Sequence, residues 1–179
     1  MLTVELVHRG AARHARRTAV VCGDKSLTFG EVDAAANRIA HVLAGLGVAR
    51  GGRVGLLIGN GIWSIPVDFG CVKAGAARVP LNVRLATDEQ TRMLAATGVR
   101  LLVHGADLAD RAGELASRVD GLRLVSLGPA PQVDALDLLA EMGQASDADP
   151  RVPAGADDPV LVIYTSGTTA LRAPVVPEV

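Results

Sequence analysis

The stretch "RVGLLIGNGIWSIPVDFGCVKAGAARVPLN" (residues 53–82) holds a strand, a helix and a second strand in 30 residues. "RVGLLIG" is a near-continuous apolar run, the pattern of a strand covered on both faces. A helix is expected from about Ile62 to Ala74. Pro66 falls in or near its first turn, where a missing N–H is tolerated. "ARVPLN" follows as a short strand. Such a unit is a βαβ crossover, and it makes its two strands parallel.

The pattern continues downstream. "TDEQTRMLAATG" reads as a helix with Thr87 as cap and Gln90 three residues on. "RLLVHG" is a strand, "ADLADRAGELASRV" a helix and "LRLVSL" a strand. Residues 128–158 are rich in Pro, Asp, Gly and Ala and read as a surface connection with one short helix, "VDALDLLAEMG". "PVLVIY" (residues 159–164) is the last strand, apolar on both faces and so expected inside a larger sheet.

Upstream, "TAVVCG" and "KSLTF" flank a Gly-Asp turn and form a candidate hairpin. Val4, Leu6, Val7, Ala11 and Ala15 mark an N-terminal helix with arginines on its other side. The clearest helix starts after Thr28. Val32, Ala35, Ala36, Ile39, Val42, Leu43 and Leu46 share one face. Thr28 and Glu31 have capping-box spacing, and Gly47 is a natural stop. His41 lies beside the apolar stripe and is read as a surface or half-buried residue. The fold class is therefore α/β: a mainly parallel sheet with helices on both faces.

Composition narrows the function. The formal net charge is -1, which gives no drive toward nucleic acid or an anionic membrane. Aromatics are 2% of the chain, so the stacking platform of a single-strand binder is missing. The two cysteines, Cys22 and Cys71, lack metal-type spacing and read as small buried residues in a reducing compartment. The N-terminus is not a secretory signal, and no stretch approaches the ~20 apolar residues of a membrane span. A cytoplasmic protein is expected.

Two stretches have the shape of a phosphate site. "GNGIWS" (residues 59–64) follows a strand and opens a helix, like the fingerprint G-x-G-x-x-G/A. The acidic residue that should end the next strand is absent, because "VPLN" finishes in Asn82. A plain strand-to-helix turn is the better reading. The second is "VLVIYTSGTTALRAPVVPEV" (residues 160–179). Thr165, Ser166, Thr168 and Thr169 offer four hydroxyls. Gly167 leaves room for backbone N–H groups to wrap an anion. A strand would deliver this loop to the C-terminal edge of the sheet, where open α/β sheets bind ligands. An ordinary polar loop is the alternative.

"LVIYTSGTT" closely resembles the phosphate-loop signature of the adenylate-forming superfamily of acyl-CoA synthetases, peptide-synthetase adenylation domains and luciferases. "LTFGEVDAAANRIAHVLAGLGVARGGRVGLLIGN" and "CVKAGAARVPLNVRLATDEQ" resemble two further segments of that superfamily, in the right order. The similarity runs from about Leu2 to Thr169, and it explains "GNGIWS" as the turn such enzymes usually fill with P-N-S. "VPLNVRL" is more like acyl- and aryl-CoA ligases, since amino-acid-activating domains usually carry Asp where Asn82 stands. The resemblance implies an incomplete N-terminal subdomain of an acyl-CoA synthetase-like large domain over residues 1–169, with a divergent tail over residues 170–179.

By resemblance, a carboxylic acid attacks the α-phosphate of Mg-ATP, and coenzyme A then displaces AMP. Thr165, Ser166, Gly167, Thr168 and Thr169 would hold the departing phosphates, which is electrostatic stabilisation. ATP, Mg2+ and coenzyme A are thus implied for the family. The signature continues T-S-G-T-T-G-x-P-K-G, whereas this chain has Ala170, Ala173 and Pro174 in place of Gly, Lys and Gly. Alanine in a slot needing positive φ costs about 1–2 kcal/mol, and a lost charged bond to phosphate roughly 1.5–3 kcal/mol. The expectation is an N-terminal fragment of an acyl- or aryl-CoA ligase, inactive alone, with no catalytic or metal-binding residue assigned. Its "PVLVIY" strand would present an unpaired edge, so self-association is expected. Two other readings stay open: a non-catalytic interaction protein derived from such a ligase, and a small ATP- or phosphate-binding protein.

Overall fold

The computed structural model describes residues 3–164. Helix α1 (Thr3–His14) leads to strands β1 (Thr18–Cys22) and β2 (Lys25–Thr28), which pair as the antiparallel hairpin expected from the sequence. Helix α2 (Phe29–Gly45) follows. Then come β3 (Arg53–Leu57), α3 (Ser64–Lys73), β4 (Ala77–Pro80), α4 (Thr87–Thr97), β5 (Leu101–Gly105), α5 (Ala109–Arg118), β6 (Arg123–Leu127), β7 (Ala135–Asp137) and α6 (Leu138–Met142). Strands β3 to β7 form a five-stranded sheet in the order β4-β3-β5-β6-β7, every pair parallel.

The sheet is covered on both faces, which explains why its strands are apolar at successive positions. Val54, Leu56, Leu101, Val103 and Val125 turn to one side and pack with Ile39 and Leu43 of α2, Val67 and Cys71 of α3, and Leu138 and Met142 of α6. Leu57, Val79, Leu102 and Leu124 turn to the other side and pack with Met93 and Leu94 of α4 and Ala112 and Leu115 of α5. Burying one such side chain stabilises by ~1.5–3 kcal/mol, so these two layers dominate the energetics.

Local signals set the helix ends. The backbone N–H of Thr28 donates to Glu31 Oε2 at 2.8 Å and that of Glu31 donates to Thr28 Oγ1 at 3.2 Å, the reciprocal cap expected for α2. Gly47 ends it at φ +83, a conformation that suits glycine. Where α2 crosses α3, a Cβ at Gly70 would lie 2.4 Å from Ile39 Cγ2, so only glycine allows this approach. Pro66 sits in the first turn of α3, as expected.

Three expectations are corrected. Helix α4 begins after Ala86 rather than after Thr87; Glu89 Oε2 accepts the Ala86 N–H at 3.2 Å. Thr87 and Gln90 serve tertiary contacts instead: Thr87 Oγ1 donates to Glu114 at 2.9 Å, and Gln90 Nε2 donates to the Asn82 carbonyl at 2.9 Å. "VDALDLLAEMG" is not one helix. Its Ala135–Asp137 portion pairs with β6 as β7, and the Asp137 carboxylate then caps α6. Sheet pairing satisfies more backbone there than a first helical turn would. Finally, Cys71 is fully buried but Cys22 is only half-buried, because the hairpin lies outside the main sheet.

Polar groups staple the helical layer to the connection after α6. The buried Lys73 Nζ donates to Asp33 and Asn37, each at 2.6 Å. Asn37 Nδ2 in turn donates to the Asp147 carbonyl at 2.7 Å, and His41 Nε2 lies 3.0 Å from that of Ala148. His41 is half-buried, as its place beside the apolar stripe implies.

His104 of β5 is buried in the other layer, its Nδ1 2.8 Å from the Gly105 carbonyl. A carbonyl only accepts, so Nδ1 carries the proton. Nε2 is then an acceptor without a protein partner among the described residues, as is the hydroxyl of Ser126 on the neighbouring strand. Burial lowers the His104 pKa below its usual 6.5. The unfolded chain therefore binds a proton that the native state resists, and stability is lost as pH falls through about 6.5 and below. His104→Asn keeps a donor for the Gly105 carbonyl but does not titrate. Urea midpoints between pH 7.5 and 5.5 should fall more steeply in the wild type than in this variant; equal slopes would contradict a neutral buried His104.

Candidate functional site

Thr165, Ser166, Gly167, Thr168 and Thr169 lie outside the described residues. The structure does describe the extended segment that leads into them, which is joined to β4 by isolated bridging rather than forming the regular strand expected from the sequence. Residues 159–164 run beside β4, with a parallel bridge between Arg78 and Leu161. The Arg78 N–H donates to the Val160 carbonyl at 3.1 Å, and the Val162 N–H donates to the Arg78 carbonyl at 2.8 Å. Because the pairing is parallel, Tyr164 points its chain toward the edge where β3 and β4 also end. This is the C-terminal edge expected for the loop.

The strand lies outside β4 rather than inside the sheet. Its alternation is that of an outer strand: Val162 is 2% exposed and packed against the α4 layer, while Ile163 is 44% exposed. Among the described residues, nothing pairs with its outer edge. Tyr164 is held at its tip, where the phenol donates to the Met93 carbonyl at 3.0 Å. Burial raises the Tyr164 pKa, so the phenol stays a donor. At the base of the strand, Arg50 clamps Asp158 through two bonds of 2.8 and 2.9 Å. That contact, with the Gly155 N–H, holds the Asp158 carboxyl below its usual range.

Sequence reasoning missed Arg78 and Asp68. The Arg78 side chain is 11% exposed; its Nε donates to the Val160 carbonyl at 2.9 Å and its Nη1 to Asp68 of α3. Burial raises the Asp68 pKa, against the opposing pull of the guanidinium. An arginine in the middle of a four-residue strand is the signal that could have been noticed, since an interior strand position seldom holds an unpaired charge.

The other candidate, residues 59–64, is a self-satisfied turn. Ser64 Oγ accepts the Gly61 N–H at 2.9 Å and donates to the Gly59 carbonyl at 3.0 Å. An N–H that an anion would need is already used, in agreement with the turn reading. A groove of about 560 Å³ between Leu46, Leu101, Leu122, Arg123 and Leu136 lies at the opposite end of the sheet, where β5 and β6 begin. Among the described residues no group of three metal-ligating side chains occurs, and no helix is long and apolar enough to cross a membrane.

The sequence profile of "AMP-binding enzyme" matches residues 7–177, almost the whole chain. The chain belongs to this family. It is 37% identical over 149 residues to the long-chain-fatty-acid–CoA ligase FadD13 of Mycobacterium tuberculosis, covering 82% of this chain and 28% of the ligase. It is 36% identical over 161 residues to a feruloyl-CoA synthase of an Amycolatopsis species, covering 90% of this chain and 30% of that synthase. Among solved structures, the anthranilate CoA ligase AuaEII in complex with anthranoyl-AMP superposes with a TM-score of 0.89 at 27% identity, over 97% of this chain and 33% of that one. The N-terminal domain of FACL13 from Mycobacterium tuberculosis does so with a TM-score of 0.83 at 30% identity, over 97% and 43%. This AMP-binding chain therefore has acyl- and aryl-CoA ligases among its relatives, and spans about 28–30% of the length of those two curated relatives.

The buried face of the loop-bearing strand can be tested. Val162→Lys would place an ammonium in the α4 layer at a cost of about 3 kcal/mol or more. Urea denaturation should show a clear loss of stability. Unchanged stability with a larger monomer fraction would mean that Val162 faces solvent.

Proposed function

We propose that this AMP-binding chain contributes the phosphate loop of an ATP-dependent acyl- or aryl-CoA ligase and does not complete the reaction alone. The observation that carries this reading is the segment of residues 159–164, which runs parallel to β4 toward the C-terminal edge of the sheet and is followed in the sequence by T-S-G-T-T. In this reading Thr165, Ser166, Thr168 and Thr169 supply hydroxyls and Gly167 a close backbone approach, all toward the β- and γ-phosphates of Mg-ATP. A carboxylate then displaces pyrophosphate from the α-phosphate, and the coenzyme A thiol displaces AMP from the acyl-adenylate. The anthranilate ligase captured with anthranoyl-AMP supports such an intermediate for the class.

In this reading residues 1–169 are the N-terminal subdomain and residues 170–179 a divergent tail, although the family profile itself extends to residue 177. Ala170, Ala173 and Pro174 depart from the family signature where a glycine and a lysine would help hold phosphate. Since each 1.4 kcal/mol is tenfold in affinity, losses of several kcal/mol weaken nucleotide binding by powers of ten. A cytoplasmic location fits the free thiols of Cys22 and Cys71.

The chain should show no carboxylate-dependent exchange of labelled pyrophosphate into ATP across fatty and aryl acids, and calorimetry should find Mg-ATP binding weaker than micromolar. Turnover would overturn the incomplete-site reading, and micromolar binding would favour a self-sufficient nucleotide-binding protein.

The outer edge of residues 159–164 also favours association between copies of the chain, because among the described residues nothing pairs with it and the exposed Ile163 suits strand pairing. Light scattering after size exclusion should show mass rising with concentration. A strict monomer at high concentration would contradict this.

A further inference from the structure

We propose that Arg78 is a positioning residue for the phosphate loop: clamped to Asp68 of α3, its guanidinium grips the Val160 carbonyl and so sets the register of the segment that precedes Thr165. The proposal rests on the reading of residues 165–169 as that loop.

The geometry is unusual in its economy. Strand β4 bonds residues 159–164 through a single residue, Arg78. Its backbone N–H donates to Val160, its backbone carbonyl accepts from Val162, and its Nε donates to the same Val160 carbonyl at 2.9 Å. The Val160 oxygen therefore receives two donors from one residue, one backbone and one side chain. Asp68, projecting from the middle of α3, holds the far nitrogen of the guanidinium. The planar fork can face both partners at once, which a lysine ammonium does less well. A bond between a charged donor and a carbonyl is worth more than a neutral one.

The register this grip imposes has consequences along the strand. With Val160 fixed, Val162 falls on the buried side and Tyr164 reaches the Met93 carbonyl at 3.0 Å. The next residue is Thr165. A slip by one residue would exchange buried and exposed faces and move every following peptide group by about 3.3 Å. That is more than the tolerance of hydrogen bonds to a phosphate. Arg78 does not touch the loop; it acts through the strand.

The test uses the whole chain with Arg78→Lys and Arg78→Met. Amide hydrogen exchange is followed at Val162, in the loop-bearing strand, and at Val103, in the sheet centre. Binding to Mg-pyrophosphate at millimolar concentration is read by phosphorus NMR line broadening. Both variants should speed exchange at Val162 about tenfold or more while leaving Val103 unchanged, and both should narrow the pyrophosphate line toward that of free ligand. Arg78→Lys keeps a cation for Asp68, so wild-type behaviour in that variant overturns the two-sided grip. Equal acceleration at Val162 and Val103 makes Arg78 a general stability residue and also overturns the proposal. Local loosening with an unchanged pyrophosphate line means that the strand does not set the loop, which overturns the positioning role. A wild type that broadens no pyrophosphate line refutes the phosphate-loop reading itself and the proposal with it, while the exchange data still judge the grip on Val160.

Discussion

Strands β3 and β5 lie at the centre of the sheet, buried on both faces, and the remaining elements are arranged around that constraint. A strand covered on both sides cannot leave peptide groups unpaired, so its neighbours must lie close on either edge. Parallel neighbours require crossover helices, and those helices supply the two covers. Leu56 and Leu57 are successive residues that serve opposite layers. A single polar substitution at either would put an unsatisfied group into one of the two layers.

The same constraint shapes the polar groups that the interior does accept. Lys73 is wholly buried, yet its ammonium meets Asp33 and Asn37 at short range. Such a pair adds little net stability over apolar packing, but breaking it costs several kcal/mol. Its service here is placement, since Asn37 passes the contact on to the chain near Asp147. Arg78 and Asp68 do similar work at the sheet edge. In both cases a charge tolerated near the core holds a connecting segment through its backbone carbonyl.

The segment of residues 159–164 precedes the proposed phosphate loop of this AMP-binding chain. It runs toward the side where strand carboxyl ends gather, which is where α/β sheets bind phosphates. It is also the least embedded part of the sheet, joined through Arg78, Val162 and Tyr164. Local stability tends to be low where few contacts hold a segment. The relatives extend over more than three times the length of the matched region, so an outer strand in this chain can be an inner one in a longer ligase.

The amino-acid sequence by itself determined the parallel α/β class, the hairpin, the helices and the reciprocal Thr28–Glu31 cap. These follow from periodicity and near-neighbour chemistry, which act over a few residues. It also carried the family, because "TSGTT" and the "KAGA" segment are contiguous. Only the tertiary structure decided the rest. Residues 135–137 became a strand because β6 offered partners, and Gln90 was drawn from a cap to the Asn82 carbonyl 2.9 Å away. The burial of Val162 depended on which neighbour the last strand found. Arg78 gained its role from Asp68, Val160 and Val162, the last two more than eighty residues further along the chain. No local pattern announces contacts of that span, because they are set by the order of strands in the sheet rather than by spacing in the chain.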